Sequence, residues 1–465
     1  MTRHIFIALL LLCFCASSFS QKTININESQ FAASDQDYVP RSNVSRSQDA
    51  RRSRELNLNP ELQRSDNIGI KDTILLDLFR DRKYKAVIGK INTDINGTLV
   101  VRAKLVGYKY SYCIISTNDG KSLMTLDIPE NEEYYRLNYD QNTKKHFLLE
   151  LDKSQMKYLE GAPSVIPPVN SQDSDRVKKN DKELSDKTKP EINGKALNLA
   201  GNTLITDDEN TQDIIKILIV YTPAASAWAT ANESGIANTI SSLMDKAELA
   251  LNNSNSLLTP ELVHSAQVNY TELNCVDDLY NLQGTTDGFM DNVHNLRDYY
   301  AADLVVLLAD ISYTGGQGYL LGSTGGNPAY GFSLTRIQQA SWTYTTIHEL
   351  GHNLGCHHHK LQSTQPGPGI FSYAAGWRWT GLDDGNYCSI MTYEDGSYFS
   401  DGVDHLRIPY FSNPGIQYLE GITGHISDGD NARTIRETKS VVSSYRTDQP
   451  SVRVINPNGG EKLLV

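Results

Sequence analysis

Residues 341–359 read SWTYTTIHELGHNLGCHHH, and this stretch predicts a helix that ends in a glycine turn. On a helix, His348 and His352 lie one turn apart on the same face, about 6 Å along the axis, so both imidazoles can converge on one ion. Gly355 lets the chain turn at little cost, because glycine readily adopts a positive φ. His358 can then approach the same ion from outside the helix.

The same register excludes the flanking His357 and His359 as ligands. Their imidazoles are expected to be solvated or to lie beside the ligands.

The donor set is typical of zinc. A catalytic zinc takes three protein ligands and leaves one position for water, which matches His348, His352 and His358. Glu349, beside the first of them, can take a proton from the activated water and pass it to a leaving amine. The alternatives are a buried histidine pair on a packing helix and a closed structural zinc site, but a structural site would not need Glu349.

Upstream of this stretch, continuous apolar runs alternate with segments in which apolar residues recur at helical spacing. The run IIKILIVY at 214–221 suits a strand covered on both faces, and further strands are expected at 262–270, 302–309 and 331–337, with helices at 236–251 and 287–300. This order predicts an α/β (α+β) domain with a mostly parallel twisted sheet. The glycine-rich stretch 315–331 has no Gly-Lys-Ser/Thr ending, which argues against a phosphate-binding loop.

The string His348-Glu349-x-x-His352-x-x-Gly355-x-x-His358 resembles the signature of the metzincin metalloproteases. Metzincins also carry a methionine turn beneath the zinc ligands, and Ser389-Ile390-Met391-Thr392-Tyr393 is similar to it, with Met391 placed 33 residues after His358. The resemblance implies a twisted sheet, an active-site helix and one catalytic Zn²⁺. It also implies zinc metalloendopeptidase activity on extended protein or peptide substrates.

Within the metzincins, the resemblance is to the reprolysin (adamalysin)-like branch and to its secreted, mostly bacterial members. It runs from about Ile214 to Tyr445 and includes RIPYFSNP at 407–414 and DNAR at 430–433. Reprolysins usually carry Asp after the third histidine, where this chain has His359. Tyr393 matches a tyrosine that astacins and serralysins use near zinc, so its phenol is expected near the metal or the oxyanion, the alternative being a buried tyrosine with a satisfied hydroxyl.

Two further features of the site are expected. Cys356 and Cys388 bracket it, and a disulfide between them would tie the helix to the methionine turn, with Cys275 as a competing partner. An extended substrate is expected to pair with an edge strand, for which Gly331, Phe332, Ser333 and Leu334 are the candidates.

The N-terminal part predicts a secreted precursor. Residues 1–20 combine a basic start, an apolar run too short to span a bilayer and a small-x-small site, which is typical of a signal peptide. We expect a propeptide at 21–168, with a flexible leader and then a β-rich domain from about residue 70. A charged linker or processing region at 169–210 and the catalytic domain at 211–447 follow. The tail at 448–465 resembles the start of a β-sandwich-like module, which could hold the enzyme at the cell surface.

Composition limits the partners. The 465 residues carry a net charge of −12, which argues against nucleic acid, and no later segment is long and apolar enough to span a membrane. The propeptide is expected to inhibit the enzyme intramolecularly. Cys113 lies in an apolar run and is favoured as a core thiol over a zinc-blocking residue, while an unnamed propeptide Asp is the alternative. Calcium is possible, although no EF-hand-type loop occurs.

These observations predict a secreted zinc endopeptidase made as a zymogen, with Glu349 as general base and acid. A non-catalytic binding or adhesion protein on a protease scaffold is the alternative from another class. An exopeptidase or amidase with the same zinc chemistry is a third.

Overall fold

The computed structural model describes residues 21–28, 49–152, 155, 159–168 and 211–447. The expected signal peptide at 1–20, the charged linker at 169–210 and the tail at 448–465 lie outside these residues.

The N-terminal part is a nine-stranded sheet, antiparallel except for one parallel pair between its first and third strands. The strand order is β1-β3-β4-β5-β6-β7-β8-β9-β2, and a bridge between Asn27 and Leu58 brings the two ends of the sheet together. The strands are β1 (Thr23–Asn25), β2 (Ala50–Leu56), β3 (Thr73–Phe79), β4 (Arg82–Thr93), β5 (Leu99–Leu105), β6 (Tyr112–Asn118), β7 (Lys121–Ile128), β8 (Glu133–Asp140) and β9 (Lys145–Leu151).

The sheet begins earlier than the sequence suggested, since β1 and β2 lie where a flexible leader was expected. The reason is that the arginine side chains of strand β2 are paired with carboxylate and carbonyl oxygens. Arg54 is buried and donates to the Asp77 carbonyl oxygen at 2.6 Å, and Arg52 donates to Glu150 at 2.6 Å. Such a strand is stabilised by ion pairs and backbone acceptors, so it shows no apolar alternation.

The C-terminal part contains the predicted mostly parallel sheet. Its order is β11-β10-β12-β14-β13, in which the first four strands are parallel and β13 pairs antiparallel at the edge. The strands are β10 (Asp213–Tyr221), β11 (Leu258–Gln267), β12 (Leu304–Ala309), β13 (Gly316–Gly318) and β14 (Phe332–Arg336).

Helices cover both faces of this sheet. They are α1 (Pro223–Asn232), α2 (Ile236–Asn253), α3 (Cys275–Gln283), α4 (Asn292–Tyr299), α5 (Ile337–Ala340), α6 (Thr345–Asn353) and α7 (Asn431–Val442). Short strands complete the fold: β15 (Arg378–Thr380), β16 (Asn386–Cys388), β17 (Leu406–Arg407), β18 (Gln417–Tyr418) and β19 (Gly421–Ile422). Three α-helices of the described chain begin at side-chain caps: Thr222 accepts from the Ala225 amide, Asn274 from the Asp277 amide and Asp430 from the Arg433 amide.

The apolar core lies on the two faces of the sheet, because side chains alternate along each strand. Ile217 and Ile219 of β10 pack with α1, α2, α6 and α7, whereas Leu218 and Val220 pack with α3 and α4. The edge strand β13 approaches α6 so closely that a Cβ at Gly318 would lie 2.8 Å from the Glu349 carbonyl oxygen. This contact places the predicted metal helix directly beneath the sheet edge.

The N-terminal sheet is seated on α2 and on the segment that precedes α6. Arg136 pairs with Glu233 at 2.6 Å with both side chains 1% exposed, and Lys90 pairs with Asp245 at 2.8 Å. In the same interface Tyr112 shares a 2.6 Å hydrogen bond with the Tyr344 hydroxyl. In the parts of the chain just described, we find no helix with the length and hydropathy of a transmembrane span.

Candidate active site

The predicted helix and glycine turn are both present. Helix α6 ends at Asn353, and Gly355 follows with φ +87°. A Cβ at Gly355 would lie 2.6 Å from Cγ2 of Ile370, so both the backbone angle and the available space require glycine there. The turn brings His358 back against the helix.

His348, His352 and His358 form a buried cluster whose ligand atoms all lie within 4.8 Å of one another. Each imidazole is fixed through its Nδ1 atom by a backbone carbonyl: Ile390 at 2.8 Å, Cys356 at 3.1 Å and Gln365 at 3.0 Å, respectively. With Nδ1–H as the donor, the tautomer leaves each Nε2 lone pair facing the centre of the cluster. The Nε2 atoms of His348 and His358 are 3.1 Å apart.

This arrangement fits a zinc ion. Zinc lies about 2.0–2.1 Å from imidazole nitrogens in a tetrahedral site, which requires nitrogens a little over 3 Å apart. Burial lowers the pKa of all three imidazoles, that of His348 to about 3, so they are neutral as metal ligands must be. Within the described part of the chain, Nε2 of His352 has no hydrogen-bond partner.

Glu349 lies beside this cluster and is fully buried. Neither of its carboxylate oxygens has a hydrogen-bond partner among the residues that the structure describes. Burial raises its pKa well above the ordinary value, against the opposing charge of Arg407. A buried carboxyl group without a partner at a metal cluster has the properties of a proton-transfer group.

The methionine of the predicted turn packs under the cluster. Met391 is fully buried, and a Cβ at Gly351 of α6 would lie 2.6 Å from its Sδ atom. The preceding residue, Ile390, provides the carbonyl that orients His348. The turn therefore contacts both the helix and one imidazole.

Tyr393 lies at the same site. Its ring centroid is 4.8 Å from that of His358, and its hydroxyl donates to the Gly161 carbonyl oxygen at 2.6 Å. The sequence left two possibilities open, a phenol near the metal and a buried satisfied tyrosine. The hydroxyl has a hydrogen-bond partner, as in the second possibility, and an approach of the phenol to the metal or the oxyanion stays a prediction.

An N-terminal segment, residues 159–168, lies in the cleft above the cluster and adds to the sheet edge. It runs parallel to β13: the amide of Ala162 donates to the Gly316 carbonyl at 2.7 Å, and that of Val165 donates to the Gly318 carbonyl at 3.0 Å. We call it the cleft segment. Within it, a Cβ at Gly161 would lie 2.9 Å from Oε1 of Glu349 and 3.8 Å from Nε2 of His348.

The cleft segment also contains a buried ion pair that sequence reasoning missed. Glu160 pairs with Arg407 at 2.6 Å, and the Glu394 amide donates to the same carboxylate at 2.6 Å. The pair spans 247 residues, so no local pattern points to it.

Three predictions about the site need correction or a closer description. Gly331 to Leu334 does not form the free edge, because β14, which contains Phe332, Ser333 and Leu334, is paired on both sides. The strand at this edge of the sheet is β13, and the cleft segment pairs with it.

The predicted disulfide is also absent from the described part of the chain, since the buried thiols of Cys356 and Cys388 are not bonded to each other. Their thiols donate instead to carbonyl oxygens, Cys356 to that of Asn431 and Cys388 to those of Thr392 and His405. Cys275 and Cys113 are free as well, and Cys113 lies in the core of the N-terminal sheet as expected.

The histidines that flank His358 are buried rather than solvated. Nδ1 of His357 accepts from the His358 amide at 2.8 Å, and Nδ1 of His359 accepts from the Leu361 amide at 3.1 Å. Both stay outside the three-histidine cluster, as the register predicted.

Comparison with known proteins agrees with this geometry. The Reprolysin_5 family model, described as metallopeptidase family M12, matches residues 211–402. Residues 211–402 are a metzincin-like metallopeptidase domain. The matched region contains the three histidines, Glu349 and Met391, and the enzyme class is that of a zinc metalloendopeptidase.

Two relatives of this metallopeptidase are peptidyl-Asp metalloendopeptidases. That of Stenotrophomonas maltophilia strain K279a is 27% identical over 325 residues, covering 70% of this chain and 68% of the relative. That of Xanthomonas campestris pv. campestris is 30% identical over 234 residues, covering 50% of this chain and 52% of the relative. This chain therefore spans about two thirds of the first relative and about half of the second.

Among solved structures, metalloproteinase-II from Bacteroides fragilis matches 64% of this chain and 85% of its own length. The sequence identity is 11% and the TM-score 0.39, a likeness too distant to carry an argument.

Proposed function

We propose that this chain is a secreted, zinc-dependent endopeptidase made as a zymogen. In this proposal residues 1–20 are the signal peptide, 21–168 the propeptide, 169–210 the processing region and 211–447 the catalytic domain. The observation that carries it is the convergence of three tautomer-fixed histidines beside Glu349, a buried carboxyl group with no partner in the described chain.

The catalytic roles follow from these positions. Zinc held by His348, His352 and His358 would supply a Lewis acid that lowers the pKa of a bound water. Glu349 takes the proton of the attacking water and delivers it to the departing amine. Tyr393 donates a hydrogen bond to the reacting carbonyl oxygen, just as it donates to the Gly161 carbonyl, and stabilises the negative charge that develops there.

The cleft segment supports the zymogen proposal. Its Gly161 lies against Glu349 and His348, and its backbone uses two carbonyl groups of β13 and the amides of the flanking Gly315 and Leu320, which an extended substrate would need. Substrate can therefore enter only after this segment leaves. Inhibition rests on main-chain contacts and on Glu160, and Cys113 takes no part, because it is enclosed in the core of the N-terminal sheet.

The curated relatives suggest the substrate class. Because they are named peptidyl-Asp metalloendopeptidases, we propose that this enzyme also prefers peptide bonds next to an acidic residue.

Replacing Glu349 with Gln tests the proposed chemistry. The amide keeps the shape of the side chain but cannot take up the proton, so we expect proteolysis of casein to fall at least about 100-fold while zinc binding persists. Glu437→Gln, at an exposed ion pair with Arg433, is the matched control. Full activity of Glu349→Gln would refute the role of Glu349, and a processed wild-type chain that binds zinc without cleaving protein would favour the non-catalytic binding protein.

A further inference from the structure

The ion pair between Glu160 and Arg407 is part of a complete carboxylate-binding pocket. Nη2 of Arg407 contacts Oε2 of Glu160 at 2.6 Å, and the backbone amide of Glu394 donates to Oε1 at 2.6 Å. The two side chains are 5% and 8% exposed. Both carboxylate oxygens are thus held by separate donors in a site with little water, where charge-assisted hydrogen bonds are strong.

Arg407 is held in place from behind. Its Nε and Nη2 atoms donate to the Thr392 carbonyl at 3.1 and 2.8 Å, and Thr392 directly follows Met391. The Arg407 guanidinium is therefore fixed relative to the turn beneath the metal cluster. Burial alone would lower its pKa, but the charges of Glu160 and Glu394 outweigh burial and raise it, so the group stays charged.

The pocket lies one residue away from the catalytic centre. Glu160 occupies it, while the next residue, Gly161, lies against Glu349 and under the Tyr393 hydroxyl. The cleft segment runs parallel to β13. A substrate that pairs antiparallel with β13, the more stable pairing, would reverse the residue order over the same positions. The side chain in the pocket would then belong to the residue that follows the scissile bond.

We propose that Arg407 is the specificity-determining residue of this enzyme and binds the acidic side chain that follows the scissile bond, a pocket that Glu160 fills in the zymogen. This inference rests on the proposed peptidase function. A cavity of about 820 Å³ adjoins the pocket between the N-terminal sheet and the C-terminal part of the chain, and it is lined by Glu160, Arg407 and Tyr344 among others.

The test compares matched peptides that carry Asp or Asn after the scissile bond. For the processed wild-type enzyme we expect kcat/KM to favour Asp, and in Arg407→Met we expect the Asp-to-Asn ratio to fall about 10- to 100-fold. A general loss of folded enzyme lowers the measured kcat/KM for both peptides by the same factor, so it does not change their ratio. Arg407→Lys keeps the charge and should retain part of the ratio. Arg378→Met, at an arginine paired with Asp401 outside the pocket, is the control and should retain all of it.

The outcomes separate the two proposals. An unchanged ratio in Arg407→Met, or a wild-type enzyme that cleaves without acidic preference, overturns the assignment of Arg407 and leaves the peptidase function standing. A wild type that cleaves nothing refutes the peptidase function instead.

The pocket can also be tested without activity, by hydrogen exchange in the full chain. The amides of Ala162 and Val165 should exchange about 10- to 100-fold faster in Glu160→Gln than in wild type, because the carboxylate no longer holds the segment. Equal exchange in both chains would overturn the role of the pocket.

Discussion

Gly161 is the residue at which the cleft segment comes closest to the catalytic machinery. Any side chain there would meet Oε1 of Glu349 at 2.9 Å, so the main chain itself covers the metal cluster. Gly316 on the facing strand is equally restricted, because its Cβ would lie 2.7 Å from Cγ of Glu349. Gly161 and Gly316 therefore allow the cleft segment, β13 and α6 to meet at the carboxyl group of Glu349.

Gly161→Ala should weaken inhibition. Overpacking typically costs about 1–3 kcal/mol, so the full chain should show a rise in basal peptidase activity of about 5- to 100-fold. Gly322→Ala, where a Cβ meets nothing within 4 Å, is the control. A Gly161→Ala chain as latent as wild type would contradict the position of the segment over the site.

At this scale, sequence predicted the metal cluster and missed the Glu160–Arg407 ion pair for one physical reason. His348, His352 and His358 are positioned by a single helix and a single glycine, so their spacing is visible locally. Glu160 and Arg407 meet only through tertiary structure, because 247 residues separate them along the chain.

Among the elements, the edge strand β13 has the largest consequence for function. It is only three residues long, Gly316–Gly318, and lies in a glycine-rich stretch with no apolar alternation, so sequence patterns gave no sign of it. The apolar strand β14 was the better candidate by pattern, yet it is buried between two partners. Apolar alternation in the sequence indicates that a strand is buried. It does not show which strand lies at the edge of the sheet, because that depends on strand pairing.

Val165→Pro tests the strand addition. Proline removes the amide that donates to the Gly318 carbonyl, and the loss of one hydrogen bond of about 0.5–1.5 kcal/mol should raise basal activity of the full chain about 2- to 10-fold. Ile166→Pro is the matched control, because Ile166 is 72% exposed and precedes two prolines. If both variants behave alike, the pairing with β13 does not contribute to latency.

Over the whole molecule, a buried ion pair and a tyrosine contact join the N-terminal sheet to the C-terminal part of the chain. The Arg136–Glu233 pair is buried, so its net stabilisation is small, but loss of either partner would leave a buried charge at a cost of about 3–5 kcal/mol. Such a pair favours one placement of the N-terminal sheet, although it adds little to the free energy of unfolding. Together with the Tyr112–Tyr344 contact, it positions the sheet next to the start of α6.

The division of the chain was partly visible in sequence. The α/β part was predicted because buried strands and amphipathic helices have local periodicity. The N-terminal sheet was predicted from about residue 70 only, since β2 is stabilised by Arg52 and Arg54 through ion pairs and backbone acceptors that apolar patterning does not report.

The zinc content of the purified full chain is the most direct test of the proposed metal centre. We expect one zinc per chain in wild type and in His264→Ala, whose imidazole stacks on Tyr300 away from the cluster, and loss of the metal in a folded His352→Ala variant. Folding of each variant is checked by circular dichroism, so that metal loss is not confused with unfolding. Equal zinc content in His352→Ala and wild type, or no zinc in either, would contradict the assignment of the three histidines as the metal site.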